Sequence, residues 1–132
     1  MKESSLVRTV RWDKGEVVLI DQTKLPQKLT YMRCRTPREV AKAVKSMVVR
    51  GAPAIGVAAA MGVATAAYHS KAKTERKLIE ELDAAAKLLQ DTRPTAVNLF
   101  WGLRRVMETA RSSQGGVKAT IRRVVEEAEQ MA

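Results

Sequence analysis

Cysteine, histidine and aromatic residues are scarce in this chain, and each shortage excludes something. Cys34 is the only cysteine among 132 residues, which excludes an internal disulfide framework and any cysteine-rich zinc site. His69 is the only histidine, so a histidine-based metal site is not expected. Aromatic residues make up 4% of the chain, and Trp12, Tyr31, Tyr68, Phe100 and Trp101 form no interleaved basic-aromatic platform for stacking bases. No Walker loop, GxGxxG, zinc-finger, RNP or leucine-zipper pattern is present, and there is no internal repeat or low-complexity stretch. Met1 to Val10 carries Lys2, Glu3 and Arg8 with no apolar run behind them, unlike a secretory signal.

What is present is a folded, basic domain. Hydrophobic residues reach 45%, too many for a disordered basic tail. Lys and Arg total 24 against 14 Asp and Glu, a net charge of +10. The excess is spread along the chain, with 12 basic and 5 acidic residues up to Ala66 and 12 and 9 beyond it. That distribution describes a solvated basic surface and points to no specific nucleic acid. Gly51 to Tyr68 carries no charge, yet its abundant Ala and Gly suit a close-packed protein interior better than a bilayer. A single domain, no membrane span and a cytoplasmic location are expected.

The residue pattern predicts an α+β fold, with strands over about 5–34 and helices over about 36–132. Leu6 to Trp12, Glu16 to Asp21 and Lys28 to Arg33 read as three strands of a small antiparallel β-meander. Asp13-Lys14-Gly15 supplies the first turn, and Leu29 and Tyr31 share one side of the third strand. A bundle of about five helices follows. Thr36-Pro37-Arg38-Glu39 is a capping box with proline at the first helical position. Val40, Val44, Met47 and Val48 then recur on one helical face. Pro53 opens a small-residue helix to about Tyr68. Thr74 caps a third helix, with Leu78, Ile79, Leu82, Ala85, Ala86 and Leu89 inward. Pro94 opens a fourth bearing Val97, Phe100, Trp101 and Met107. After Gly115-Gly116, Val117, Ile121, Val124, Val125 and Ala128 line the fifth.

No complete active site is legible. His69 ends an Ala-rich helix, where a cation complements the helix dipole. Cys34 reads as a small packed residue. Two segments suit an anion. Val48-Val49-Arg50-Gly51-Ala52-Pro53 sets an arginine and a permissive backbone at a helix entrance, where the first N–H groups lack intrahelical partners. Arg50 can grip a phosphate through two N–H groups at once. Thr92-Arg93-Pro94-Thr95-Ala96-Val97-Asn98 repeats the design, and two such entrances can converge on one phosphorylated small molecule. Two ordinary helix starts with exposed arginines would read the same way on physics alone.

These segments carry a family likeness. Leu19-Ile20-Asp21-Gln22-Thr23-Lys24-Leu25-Pro26, Tyr31, Met47-Val48-Val49-Arg50-Gly51-Ala52-Pro53-Ala54-Ile55-Gly56 and Thr92-Arg93-Pro94-Thr95-Ala96-Val97-Asn98-Leu99 run in that order. Together they make the chain resemble the N-terminal region of the methylthioribose-1-phosphate isomerases, within the superfamily shared with regulatory subunits of translation initiation factor 2B. The resemblance implies a substrate-binding domain for the conversion of methylthioribose 1-phosphate to methylthioribulose 1-phosphate in methionine salvage. Arg50, Gly51, Ala52 and Arg93 are the implied substrate contacts, with no metal and no cofactor. An initiation-factor-like regulatory module, or a domain like that of ribose-1,5-bisphosphate isomerase, is the alternative. Asp21-Gln22-Thr23-Lys24 and Pro53 favour the methylthioribose enzymes.

The resemblance also implies that the catalytic cysteine and aspartate belong to a following Rossmann-like domain not contained in residues 1–132. Nothing in this chain matches those motifs, and Cys34 is not the family's catalytic cysteine. The chain alone is therefore expected to be inactive. It is expected to form a homo-oligomer, or to pack against that missing domain or a partner chain through an exposed apolar face.

Overall fold

The computed structural model describes residues 9–46, 48–49 and 51–132. Leu6, at the start of the expected first strand, and Met47 and Arg50 lie outside the described residues. Three antiparallel strands, β1 (Val10–Asp13), β2 (Glu16–Ile20) and β3 (Tyr31–Cys34), form a sheet in the order β1-β2-β3. Among the described residues, five α-helices follow: α1 (Pro37–Lys45), α2 (Ala52–Tyr68), α3 (Glu75–Gln90), α4 (Val97–Ser112) and α5 (Val117–Met131). The α+β architecture matches the sequence reading.

The hairpin register pairs Asp13 with Glu16 and leaves Lys14-Gly15 as a two-residue turn. Lys14 and Gly15 have φ of 49° and 90°; this positive pair suits the right-handed twist of the strands. Arg33 reaches across from β3 to Asp13 Oδ2 at 3.0 Å and Glu16 Oε1 at 2.7 Å. Val10, Val17, Leu19 and Cys34 are buried on the face turned to the helices. Leu29 and Tyr31 were expected together on one side of a strand from Lys28. The strand begins only at Tyr31, and both side chains are exposed. The register pairs Leu19 with Met32 and Val17 with Cys34. The alternate positions of β3 therefore point inward, and Tyr31 and Arg33 point away.

Local signals start α1 and α3 as expected, but α1 ends at Lys45 with Ser46 as its C-cap, so Val48, read as part of its apolar face, lies beyond the helix. The Thr36 hydroxyl accepts from the Glu39 N–H at 3.1 Å, and Glu39 Oε1 accepts from the Arg35 N–H at 2.7 Å. Thr74 accepts from the Lys77 N–H at 3.1 Å. Leu78, Leu82, Ala85 and Leu89 of α3 are buried.

Helix α2 is the axis of the fold. Ala58 to Thr65 are all buried, so this helix is apolar on every side. The Thr65 hydroxyl satisfies itself on the Gly62 carbonyl at 2.6 Å. At 17 residues, α2 is a buried interior helix. Among the described residues, no helix is long and apolar enough to cross a membrane. At its far end, His69 Nε2 lies 2.9 Å from the Gly15 carbonyl oxygen, and Tyr68 meets Trp12 edge-on. His69 thus ties the hairpin turn to the end of α2, a structural duty consistent with its place outside any catalytic reading.

The fourth helix departs from the reading in one respect. Pro94 lies in the turn before it, and α4 begins at Val97 with Ala96 as its N-cap. Leu99, Leu103, Val106, Met107 and Ala110 form its buried stripe. Val97, Phe100 and Trp101 project outward instead, at 64%, 47% and 55% exposure.

Cys34 is buried, and its thiol is pushed up from 9.0 to about 11, chiefly by desolvation and further by the Glu39 carboxylate. At pH 8 that rise lowers the thiolate fraction by about 100-fold relative to an unshifted thiol. Alkylation by iodoacetamide at pH 8 should therefore be slower in the folded chain by about that factor or more than in denaturant. Fast modification of the folded chain would place Cys34 at the surface. Because the folded value is raised, the thiol does not oppose folding below about pH 9. Its ionisation in the unfolded chain then erodes stability as pH rises toward 11.

Candidate functional site

The site is built from two helix entrances. At the first, Gly51 is the N-cap of α2 with φ of 92°, a conformation that favours glycine. No side chain caps this helix. Gly51, Ala52 and Pro53 are exposed. Pro53 has no N–H to leave unpaired, so the open donors of the first turn concentrate on the residues around it. The Gly51 carbonyl accepts from the Ile55 N–H at 3.0 Å, closing the first helical bond.

The second entrance is the turn over residues 91–96. The Thr92 hydroxyl donates to the Leu89 carbonyl at 2.6 Å, and the Ala96 N–H donates to the Arg93 carbonyl at 2.9 Å. The backbone of Arg93 is therefore held in place, and its side chain is half-buried. Among the described residues, no carboxylate forms an ion pair with it. Helix α4 also starts without a side-chain cap.

The two entrances stand side by side because α2 and α4 cross at glycine. A Cβ placed on Gly56 would lie 2.6 Å from the Asn98 carbonyl oxygen, and one on Gly102 would lie 2.2 Å from the Gly56 carbonyl oxygen. Main chain touches main chain here, one turn inside each helix. The first turns of α2 and α4 thus adjoin. Of the four sequence-predicted contacts, Gly51 and Ala52 lie at the α2 entrance and Arg93 lies just before α4. Arg50 is outside the described residues.

A groove of about 520 Å³ opens beside this crossing, between Pro53, Val57, Asn98, Trp101, Arg105 and Met131. Its cations are already matched. Arg104 pairs with Glu108 at 3.0 Å and lies 5.5 Å from the Trp101 ring centroid, and Arg105 pairs with Glu127. Neither is as open to an anion as Arg93. Gly56 and Asn98 fall within the two motif segments, whereas Gly102 lies outside them. A glycine inside a helix, where it costs about 1 kcal/mol against alanine, is the signal that could have found it. Among the described residues, no group of three His, Cys, Asp or Glu side chains is placed to hold a metal ion.

This arrangement of a small meander, a buried Ala-rich helix and two adjoining glycine-linked helix starts has known relatives. Residues 48–132 match the model of the initiation factor 2 subunit family, and the chain belongs to that family. Within it, the chain is 51% identical over 102 residues to the methylthioribose-1-phosphate isomerase of Koribacter versatilis, covering 77% of this chain and 29% of that protein. It is 42% identical over 122 residues to the same-named protein of Crocosphaera subtropica, covering 92% and 35%.

Solved structures agree. 5-Methylthioribose 1-phosphate isomerase from Pyrococcus horikoshii superposes with a TM-score of 0.89 at 41% identity, over 95% of this chain and 35% of that one. Subunit delta of translation initiation factor eIF-2B from A. fulgidus gives 0.89 at 43% identity, over 95% and 36%. The chain spans about a third of the length of the relatives it matches.

Proposed function

We propose that this chain is the substrate-binding N-terminal domain of an aldose–ketose isomerase that converts methylthioribose 1-phosphate to methylthioribulose 1-phosphate, a cytoplasmic step of methionine salvage. The observation that carries this reading is the identity of 42–51% to proteins named for that reaction. The paired helix starts supply the physical means. The N–H groups around Gly51 and Ala52 and the α2 dipole favour a phosphate, and the Arg50 and Arg93 guanidinium groups add charge-assisted hydrogen bonds.

The isomerisation moves a hydrogen between adjacent carbons, which needs a positioned acid and base in a pocket that excludes water. The four contact residues include no carboxylate, thiol or imidazole. Cys34 is buried with a raised pKa, opposite to the lowered value that activates a thiol. In this reading the chemistry is supplied by a second, Rossmann-like domain, and residues 1–132 alone bind without turnover. The exposed Val97, Phe100 and Trp101 are the face that such a domain, or a second copy of the chain, would cover.

Calorimetric titration of methylthioribose 1-phosphate into the 132-residue chain tests this reading. Arg50→Ala and Arg93→Ala should each weaken binding by about tenfold or more, the loss of a charged hydrogen-bonding partner. No product should form. A folded chain that binds nothing, or variants that bind as well as the parent, would overturn the assignment of the site; measurable turnover would overturn the division of labour. The likeness to the A. fulgidus initiation-factor subunit supports a second reading, a regulatory module that senses a phosphorylated ligand or docks a partner. Asp21-Gln22-Thr23-Lys24 and Pro53 resemble the isomerases and weigh against it.

A further inference from the structure

The Asp21-Gln22-Thr23-Lys24 segment lies far from α2 in sequence, yet the fold joins it to the strap that enters α2. Asp21 is 7% exposed. Its Oδ1 accepts from the Thr23 N–H at 2.9 Å and from the Thr23 hydroxyl at 2.5 Å, closing a tight turn over Gln22–Lys24. Its own N–H donates to the Thr30 carbonyl at 2.8 Å. The next residue makes the connection, because the Gln22 N–H donates to the Val48 carbonyl at 2.9 Å.

Val48 is held from the other side as well. Its N–H donates to the Ala43 carbonyl at 2.9 Å, just before the end of α1. Val48 and Val49 are also buried. The two residues before Arg50 are therefore fastened by side chains and backbone alike, and Gly51 follows as the N-cap of α2. The orientation of the peptide between Asp21 and Gln22 depends on the side-chain bonds that Asp21 makes to Thr23. The carbonyl of that peptide accepts a longer bond from the Lys24 N–H at 3.2 Å, so without the Thr23 bonds the Gln22 N–H is held less firmly toward the Val48 carbonyl.

We infer that Asp21 is a positioning residue for the phosphate site: by locking the turn that holds Val48, it helps set where the chain delivers Gly51 and Ala52. This rests on the reading of the α2 entrance as that site. Asp21 touches no ligand. It acts through Gln22 and Val48, and its contribution is the placement of backbone N–H groups, where small displacements weaken a hydrogen bond steeply. An asparagine keeps one carbonyl oxygen able to accept both Thr23 bonds, whereas an alanine keeps none.

The test uses the 132-residue chain with Asp21→Ala, Asp21→Asn and the milder Thr23→Val, which removes only the hydroxyl bond. In the ligand-free protein, amide hydrogen exchange at Gln22, whose N–H donates to the Val48 carbonyl, should be about tenfold faster in Asp21→Ala, the loss expected for a hydrogen bond to a charged group. Asp21→Asn should restore the slow rate, with Thr23→Val in between. Amides of Ala59 to Val63, in the middle of α2, report whether the fold survives and should not change. Titration with methylthioribose 1-phosphate, followed at the Gly51 and Ala52 amide resonances, should show weaker binding in Asp21→Ala by about tenfold, rescued by asparagine.

Unchanged Gln22 exchange in both Asp21→Ala and Thr23→Val would overturn the brace. Faster exchange with undiminished binding would overturn its positioning role. A parent chain that shows no response at Gly51 or Ala52 would instead remove the phosphate-site reading, while the exchange data still decide whether Asp21 holds the strap.

Discussion

Replacing Gly102 with alanine should destabilise the folded chain by about 3 kcal/mol, the upper end of what overpacking a close contact costs. The sign is the informative part. An alanine in an exposed helix interior is better than glycine by about 1 kcal/mol, so helix propensity alone predicts a gain. At Gly102 the new Cβ would lie 2.2 Å from the Gly56 carbonyl oxygen, 2.9 Å from its carbon and 3.1 Å from its Cα. All three are backbone atoms, so no side chain can rotate away. Helices α2 and α4 would have to separate, and the stripe of Leu99, Leu103 and Val106 would lose contact with the core. Thermal unfolding followed by circular dichroism should show a midpoint lower by about 10 °C for a domain of this size.

Gly62→Ala is the control for that experiment. It lies in the same buried helix, but the nearest atom to its new Cβ is the tip of the flexible Leu89 side chain, at 2.8 Å. That side chain can adjust, and the change should fall within about 1 kcal/mol of neutral. Equal stability of the Gly102 and Gly62 variants would mean that α2 and α4 do not meet backbone to backbone.

A carboxylate in the middle of α2 should have a still larger effect. Ala60 is fully buried, and its neighbours along the helix, Ala59 and Met61, are too. No described basic side chain is buried in the core to pair with a charge there. Taking one unpaired carboxylate out of water costs several kcal/mol even after relaxation. The whole stability of a domain this size is only about 5–15 kcal/mol. Ala60→Asp should therefore leave most of the chain unfolded at pH 7, read as loss of cooperative thermal unfolding and collapse of helical circular dichroism. A cooperatively folded Ala60→Asp variant would place that side of α2 at the surface. Because the charged form is the one excluded, any residual folding should be greatest at low pH and fall as the new carboxyl ionises.

Both predictions concern α2, whose crossing with α4 brings the two helix entrances together, so stability and the candidate site share one structural cause. The site is not a loop grafted onto the outside. It lies where α2, buried on all sides, comes to the surface at its first turn beside the start of α4. A change that pushes α2 and α4 apart should loosen the entrances along with the core.

The sequence by itself determined the parts of this protein that rest on near neighbours. The capping threonines Thr36 and Thr74, the two-residue turn at Lys14-Gly15 and the inward stripe of α3 all appear as read, since each depends on residues within about four positions of one another. The motif around Arg50-Gly51-Ala52 and the one around Arg93 were legible as helix entrances for the same reason. The order of those motifs was also enough to mark the family. Tyr31, Leu29 and the start of α4 were misplaced because alternation and proline position do not say which face meets the core.

Only the tertiary structure decided the contacts between distant segments. The Gly56–Gly102 approach, the hold of Gln22 on Val48 and the bond between His69 and Gly15 join residues that no local pattern relates. The outward projection of Val97, Phe100 and Trp101 follows from the same cause. Helix α4 is turned by its glycine contact with α2, and that contact selects the stripe to be buried. Local periodicity offers several apolar faces, and the packing of one helix against another chooses among them, because a main-chain contact leaves no freedom to rotate.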